Sequence, residues 1–184
     1  VLLRERGITM PVVVLNADAD SFDAMAANRL EPEIYSLRSL HEFAAAVERY
    51  GEQRYPIHVK LDTGMHRLGF VEEELPALLD ALARCGRTVR VASVFAHLCT
   101  SDDPAQDDFT RLQIARFDRM SSRIAEALPY PVLRHTANSA AIERFPEAQY
   151  DMCRLGLGLY GFGFEHNAAL RPVSTLRTRI VQIK

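Results

Sequence analysis

The residues able to do chemistry crowd into one stretch, His58-Val59-Lys60-Leu61-Asp62-Thr63-Gly64-Met65-His66-Arg67-Leu68-Gly69-Phe70. On a β-strand successive side chains point to opposite faces, so His58, Lys60 and Asp62 share one face while Val59 and Leu61 take the other. Ionisable groups side by side in an otherwise apolar strand are costly to bury unless they pair with one another or with a ligand. Thr63-Gly64 breaks the strand, and Arg67 then returns towards its end. A lysine, an aspartate and an arginine at the carboxyl end of a buried strand mark the place where α/β enzymes put their chemistry. The usual reading of a lysine is a solvated surface group. Lys60 is one of only two in the chain, the other being Lys184, and its apolar neighbours argue for burial. A buried amine there could be a nucleophile.

Three further sites pair a bland reading with a functional one. His97, in Val94-Phe95-Ala96-His97-Leu98, is either a hydrogen-bonded core histidine or a group at a catalytic strand end. Asn138-Ser139-Ala140-Ala141 is a helix N-cap, and such a terminus, with a hydroxyl and free N–H groups, also suits a phosphate. Arg154-Leu155-Gly156-Leu157-Gly158-Leu159-Tyr160-Gly161 could be a glycine-rich strand shaped by packing. Equally, its glycines would let backbone approach a phosphate, with Arg154 reaching a ring nitrogen or an anion.

A strand-then-helix rhythm must position these groups. Pro11 to Ala17 is an apolar run of the doubly buried kind, followed by a helix near Asp20 to Leu30. Ile34 to Leu37 is the next strand, and Ser39 with Glu42 forms a capping box for a helix bearing Leu40, Phe43 and Val47. After the strand Ile57 to Thr63 comes a helix with Leu75, Leu78, Leu79 and Leu82 on one face. Val89 to Leu98 is a strand, and Ile114, Phe117, Ile124 and Leu128 recur at helical spacing after Pro104. Val132 to Asn138 and Met152 to Tyr160 complete the strands. Alternation of this kind predicts an α/β fold with a parallel sheet. An open doubly wound sheet would share the pattern. The polar residues fall at the ends of several strands rather than at one crevice, which favours a (β/α)8 TIM-type barrel.

At 184 residues the chain is short for a complete barrel of about 250 residues, so about six βα units of a partial barrel are expected. It opens on what reads as the last turn of a helix closed by Gly7, and it ends inside a strand-like segment, Leu176 to Lys184. The expectation is a piece of a longer polypeptide, with residues 1–165 a partial barrel and residues 166–184 a linker and the first strand of a C-terminal β-domain. A formal net charge of -2 gives no support for nucleic-acid binding or an anionic membrane surface. Cys85, Cys99 and Cys153 fit no disulfide or zinc pattern. With no apolar run of membrane-spanning length and no signal-peptide pattern, a cytoplasmic small-molecule enzyme is expected.

The run Lys60 to Gly69, then Ala96-His97, then His135-Thr136-Ala137-Asn138-Ser139-Ala140-Ala141, then Arg154-Leu155-Gly156 with Leu159-Tyr160-Gly161, resembles the alanine racemases in order and spacing. The resemblance covers nearly the whole chain. It implies a pyridoxal 5'-phosphate enzyme that interconverts L- and D-alanine for peptidoglycan synthesis, working as a homodimer with shared active sites. On that pattern Arg67 contacts the cofactor's phenolic oxygen and the substrate carboxylate. Lys60 matches a lysine that is often carbamylated, and His97 packs near the pyridine ring. Ser139, next to the cap Asn138, holds the phosphate together with backbone at Gly156 and Leu157, and Arg154 contacts the pyridine nitrogen. The Gly64-Met65-His66-Arg67 and Asp151-Met152-Cys153-Arg154 runs look nearest to racemases fused behind a D-alanyl-D-alanine-adding ligase.

Departures from the pattern are as informative. The family's Schiff-base lysine lies in a Lys-x-Asn-x-Tyr-Gly-x-Gly run that does not occur here, and its tyrosine base belongs to a C-terminal β-domain. The chain alone is therefore expected to be inactive. Position 66 is histidine where most of the family has glycine, and Leu98-Cys99-Thr100-Ser101-Asp102-Asp103 is unusual after the histidine. The alternatives are a related barrel racemase or decarboxylase acting on another amino acid, or a non-enzymatic pyridoxal phosphate-binding barrel.

Overall fold

The computed structural model describes residues 1–167 and 169–183. Five parallel strands form one sheet: β1 (Val13–Val14), β2 (Glu31–Ile34), β3 (Tyr55–Lys60), β4 (Val89–Phe95) and β5 (Leu133–His135). Their spatial order is their chain order, β1-β2-β3-β4-β5. A doubly wound sheet reverses direction at a switch point, whereas an unreversed run of right-handed crossovers puts every helix on one face and curls the other inwards. The order therefore settles the question that periodicity left open, in favour of a partial barrel.

The helices are α1 (Leu2–Glu5), α2 (Phe22–Ala27), α3 (Leu37–Arg49), α4 (Leu75–Arg84), α5 (Asp107–Ala127) and α6 (Ser139–Arg144). The outward strand residues Ile34, Ile57, Val59, Val91 and Val94 are fully shielded, as are Leu40, Phe43 and Val47 of α3, Leu75 and Leu78 of α4, and Phe117 and Ile124 of α5. Phe43 meets Phe22 and Tyr55 edge-on, each at 5.3 Å between centroids, the arrangement that aromatic quadrupoles prefer. None of the described helices is long and apolar enough to cross a membrane.

Five expectations need correction. The cap of α3 is Ser36, not Ser39: the Ser36 hydroxyl accepts from the Ser39 N–H, and the Ser39 hydroxyl accepts from the Ser36 N–H, both at 3.1 Å. Glu42 instead pairs with Arg38 one turn back, at 2.8 Å. The helix expected from Asp20 to Leu30 is shorter, because residues 19–21 form a tighter turn before α2. Met152 to Tyr160 is not a strand. Gly156 lies at φ -108°, ψ -91°, outside the extended region, and residues 157–160 make a single helical turn, so five strands are described where about six units were expected. The second strand is Glu31–Ile34, not Ile34 to Leu37, whose last residue already opens α3. Residues 176–183 carry no regular secondary structure, and Leu176 and Val181 are almost wholly exposed. Lys184 lies outside the described residues.

What positions the site is the loop after β3. Asp62 does not carry chemistry into the cavity. Its Oδ1 accepts from the N–H groups of Gly64 (2.9 Å) and His66 (3.0 Å), which folds the loop on itself. Phe70 then returns to the strand end, donating to the Lys60 carbonyl and accepting from the Asp62 N–H, each at 2.9 Å. Three residues here, Gly64, His66 and Gly69, have positive φ. His66, at φ 55°, stands where glycine would fit without strain, and its Nδ1 lies 3.3 Å from Asp62 Oδ2, a contact that offsets part of the cost. Gly69 has φ 128°, and a Cβ there would lie 2.6 Å from the Asp62 nitrogen and 2.7 Å from the Leu61 carbonyl carbon. Backbone cannot yield as a flexible side chain can. Gly69→Ala should therefore destabilise the chain by about 3 kcal/mol, read as a shift in the urea midpoint against wild type; a change below about 0.5 kcal/mol would contradict this account of the loop.

Candidate active site

The concave face of the sheet is polar where the convex face is apolar. Alternation along β2 puts Glu31 and Glu33 on it, and alternation along β3 adds His58 and Lys60. At the carboxyl end of this face lies a cavity of about 480 Å³. The eight residues that the family resemblance brought to the site line it: Lys60, Arg67, His97, Asn138, Ser139, Arg154, Gly156 and Leu157; His58 and Asp62, marked by spacing on the same strand face, do not.

Lys60 is 7% exposed. Its ammonium lies 3.6 Å from Glu33 Oε1 and 4.7 Å from the centre of the Phe95 ring, so a carboxylate and a π face replace part of its lost hydration. Burial is the largest influence on Lys60 and lowers its pKa; Glu33 opposes this, while Arg154 and Arg67 lower it further. Glu33 is itself 3% exposed, and its second oxygen accepts from the Asn16 N–H at 2.6 Å. Sequence reading missed this residue. The available signal was two glutamates spaced by two in a short strand, a spacing that puts both on the same face.

Arg67 stands exposed at the rim, on the loop that Phe70 ties to the Lys60 carbonyl. His97 follows β4, and its pKa is pushed down to about 4, first by burial and then by Arg154, Lys60 and Arg67. It is a neutral imidazole at pH 7. Asn138 is fully engaged as a cap: its Oδ1 accepts from the Ala141 N–H (3.0 Å) and the Ser101 hydroxyl (2.8 Å), and its Nδ2 donates to the Leu98 carbonyl (2.9 Å). Its effect on the cavity is to fix the start of α6 and hence Ser139.

The Ser139 hydroxyl accepts from the N–H groups of Gly156 (3.0 Å) and Gly158 (3.1 Å). Two backbone donors therefore converge on one oxygen at this end of the cavity. Leu157 lies between them and contributes its exposed side chain to the lining. Arg154 is held far more tightly. One terminal nitrogen of its guanidinium lies 2.7 Å from His135 Nδ1, and the other donates to the carbonyls of Ala96 (2.6 Å) and Thr136 (3.1 Å). Burial pulls its pKa down to about 10, with Glu33 opposing, so it remains a cation at neutral pH. Leu15, Phe95, Cys99 and Asp102 also line the cavity; none was marked by spacing, since each reaches it through the turn or strand that carries it.

A family model described as alanine racemase, N-terminal domain, matches residues 1–163. An alanine racemase of Symbiobacterium thermophilum is 35% identical over 192 aligned residues, covering 100% of this chain and 49% of the relative. One from Nitratidesulfovibrio vulgaris is 40% identical over 161 residues, covering 86% and 42%. Among solved structures, the alanine racemase of D-cycloserine-producing Streptomyces lavendulae superposes with a TM-score of 0.83 at 28% identity, covering 93% of this chain and 47% of that one. The chain spans about half the length of the relatives it matches.

The Arg154–His135 contact makes stability depend on pH. His135 takes a proton near 6.5 when free but is held down to about 3 in the fold, by burial first and then by Arg154, His58 and Lys60. Between those values the unfolded chain binds the extra proton, so stability is complete above about pH 6.5 and falls as pH drops. By pH 4 the loss from this residue should be on the order of 3 kcal/mol. His135→Asn, which keeps an acceptor for Arg154 but cannot titrate, should flatten the difference between urea unfolding at pH 7 and at pH 4; equal slopes in both proteins would refute the assignment.

Proposed function

The chain belongs to the alanine racemase N-terminal domain family, and from that premise we propose that its cavity binds pyridoxal 5'-phosphate and that the full-length protein interconverts L- and D-alanine. The observation that carries the reading is the pairing of two unlike ends in one cavity: the Ser139 hydroxyl, which accepts from two backbone N–H groups and so keeps its own hydrogen to donate, and a guanidinium fixed by His135 Nδ1 and by carbonyl oxygens. A phosphate suits the first end and a ring nitrogen with a lone pair suits the second, so the residues present fit the cofactor.

When bound, pyridoxal phosphate supplies an electron-withdrawing ring that acidifies the Cα proton of an amino acid. The chain's own residues bind and orient. Ser139, with backbone at Gly156 and Leu157, would hold the phosphate, the Gly158 N–H fixing the Ser139 hydroxyl from behind, and His97 would lie near the ring. Arg154, a donor that keeps its protons, would hold the ring nitrogen by a hydrogen bond without giving up a proton to it. A ring held in this way would withdraw electrons only moderately, which speaks for a racemase rather than a decarboxylase of the same barrel type. Arg67, at the rim, is placed to meet a carboxylate.

We propose Lys60 as the carbamylation site. Burial favours the neutral amine, which would form a C–N bond to carbon dioxide and lose a proton to Glu33, 3.6 Å away, leaving a carbamate that Arg67 and Arg154 would pair. Full-length protein would act as a homodimer in the cytoplasm, supplying D-alanine for peptidoglycan, with a fused ligase domain as one arrangement of the gene product. Lys60 and Lys184 are the only lysines of this chain, and neither lies in the family's Schiff-base pattern, so the chain alone should turn over no alanine.

The binding claim is tested with pyridoxine 5'-phosphate, which lacks the aldehyde and cannot condense with stray amines. Titration of the chain by calorimetry should show saturable one-to-one binding that weakens about tenfold in Arg154→Met, equivalent to about 1.4 kcal/mol, and by a smaller factor in Ser139→Ala. Wild-type protein that takes up none, or an Arg154→Met variant that binds as well as wild type, would overturn the reading.

A further inference from the structure

Beneath the cavity a line of buried polar groups crosses four adjacent strands, and the reading above uses only its last member. Glu31 Oε2 on β2 lies 2.7 Å from His58 Nε2 on β3. His58 Nδ1 lies 2.6 Å from Ser93 Oγ on β4. Ser93 Oγ lies 3.0 Å from His135 Nε2 on β5, and His135 Nδ1 lies 2.7 Å from the Arg154 guanidinium. His58, Ser93 and His135 are 6%, 0% and 3% exposed. The irregularity that shifts the β3–β4 register between Ile57 and His58 is what brings His58 opposite Ser93.

Donor and acceptor roles along this line have one solution. A guanidinium only donates, so His135 Nδ1 accepts and its proton sits on Nε2. That proton goes to Ser93 Oγ, whose own hydrogen can then go only to His58 Nδ1. His58 therefore carries its proton on Nε2 and gives it to Glu31, which as a carboxylate only accepts. The two ends agree: a donor-only cation begins the line and an acceptor-only anion closes it. Four bonds point the same way, the arrangement in which each polarises the next. The other hydrogen bonds of Arg154 among the described residues all go to carbonyl oxygens, and Glu33 acts on it through space. Glu31 has access to water, since its side chain is 15% exposed and lines a second cavity, of about 260 Å³, away from the first. Arg4, Arg29 and Arg54 also line that cavity; Arg4 spends its guanidinium on backbone carbonyls, and among the described residues the ion pair of Glu31 is with His58.

We propose that Glu31 is a positioning residue that acts on Arg154 through His58, Ser93 and His135, fixing both imidazole tautomers and setting the strength with which the guanidinium donates into the cavity. The last link, from Arg154 to a ring nitrogen, rests on the function proposed above; the line itself does not. A self-satisfied buried network with no bearing on the cavity would lose stability on mutation and nothing else.

Two measurements separate these cases. Nitrogen-15 spectra of the histidine-labelled chain should show His58 and His135 as Nε2–H tautomers. Glu31→Gln, whose amide oxygen still accepts, should preserve both, and Glu31→Leu should release His58 into a mixture. The second measurement follows the ring-nitrogen resonance of labelled pyridoxine 5'-phosphate bound to the same proteins. It should move in Glu31→Leu and in Ser93→Ala, with affinity falling about threefold, and return to the wild-type position in Glu31→Gln. If Glu31→Leu does not fold, Ser93→Ala, which cuts the line at its middle, is read in its place. Fixed tautomers other than Nε2–H in wild type, or a ring resonance indifferent to both variants, would overturn the proposal. Failure of wild type to bind the phosphate would sink the functional reading and the last link with it, while the tautomer spectra alone would still decide the line.

Discussion

Two cations, Lys60 and Arg154, are held on the concave face of a parallel sheet, and most of the surrounding structure answers the cost of putting them there. A buried charge is tolerated when other groups replace its lost hydration. For Lys60 these are the Glu33 carboxylate and the face of Phe95; for Arg154 they are carbonyl oxygens and the nitrogen of His135. Phe95 serves both sites, since it also stacks flat on His135 at 4.9 Å between centroids and lies under the Arg154 guanidinium at 5.3 Å.

That constraint explains how the fold divides its labour. The convex face, with Ile57, Val59 and Val94 against α3, α4 and α5, supplies the hydrophobic burial that holds the strands in register. The concave face is then free to be polar. Function collects at the carboxyl ends because the turns that follow the strands are where the chain can bring a loop arginine, a helix cap and two glycine N–H groups to the same place. The Asp62 turn illustrates the principle: a carboxylate that looks catalytic by position does its work on backbone N–H groups, and so holds Arg67 within reach of Lys60.

Much of this was legible before the structure. The alternation of short apolar runs with amphipathic segments gave the parallel sheet, and the unusual company of Lys60 on an apolar strand marked the cavity. The glycine-rich run after Arg154 was misread as a strand because its leucines alternate, as strand residues do. Leu155, Leu157 and Leu159 are all about half exposed or more, and the glycines between them turn their N–H groups to Ser139 instead of to a neighbouring strand. Cap placement on α3 was off by three residues because Ser36 and Ser39 are both good caps, and only the burial of Leu40 and Phe43 decides between them. Glu31 and Glu33 leave only the trace of their spacing in the sequence, and Ser93 none, because their importance comes from register, which pairs Glu33 and Ser93 with His58 across neighbouring strands, and register is not written in any one segment.

The central claim is that Arg154 and the Ser139–Gly158 region are the two ends of one cofactor site. A crystal structure of the chain with pyridoxine 5'-phosphate tests it most directly. The account predicts the phosphate against Ser139 and the backbone at Gly156 and Leu157, and the ring nitrogen at hydrogen-bond distance, about 3 Å, from the Arg154 guanidinium. A ring bound the other way round, or a phosphate seated elsewhere while this cavity holds only solvent, would contradict it.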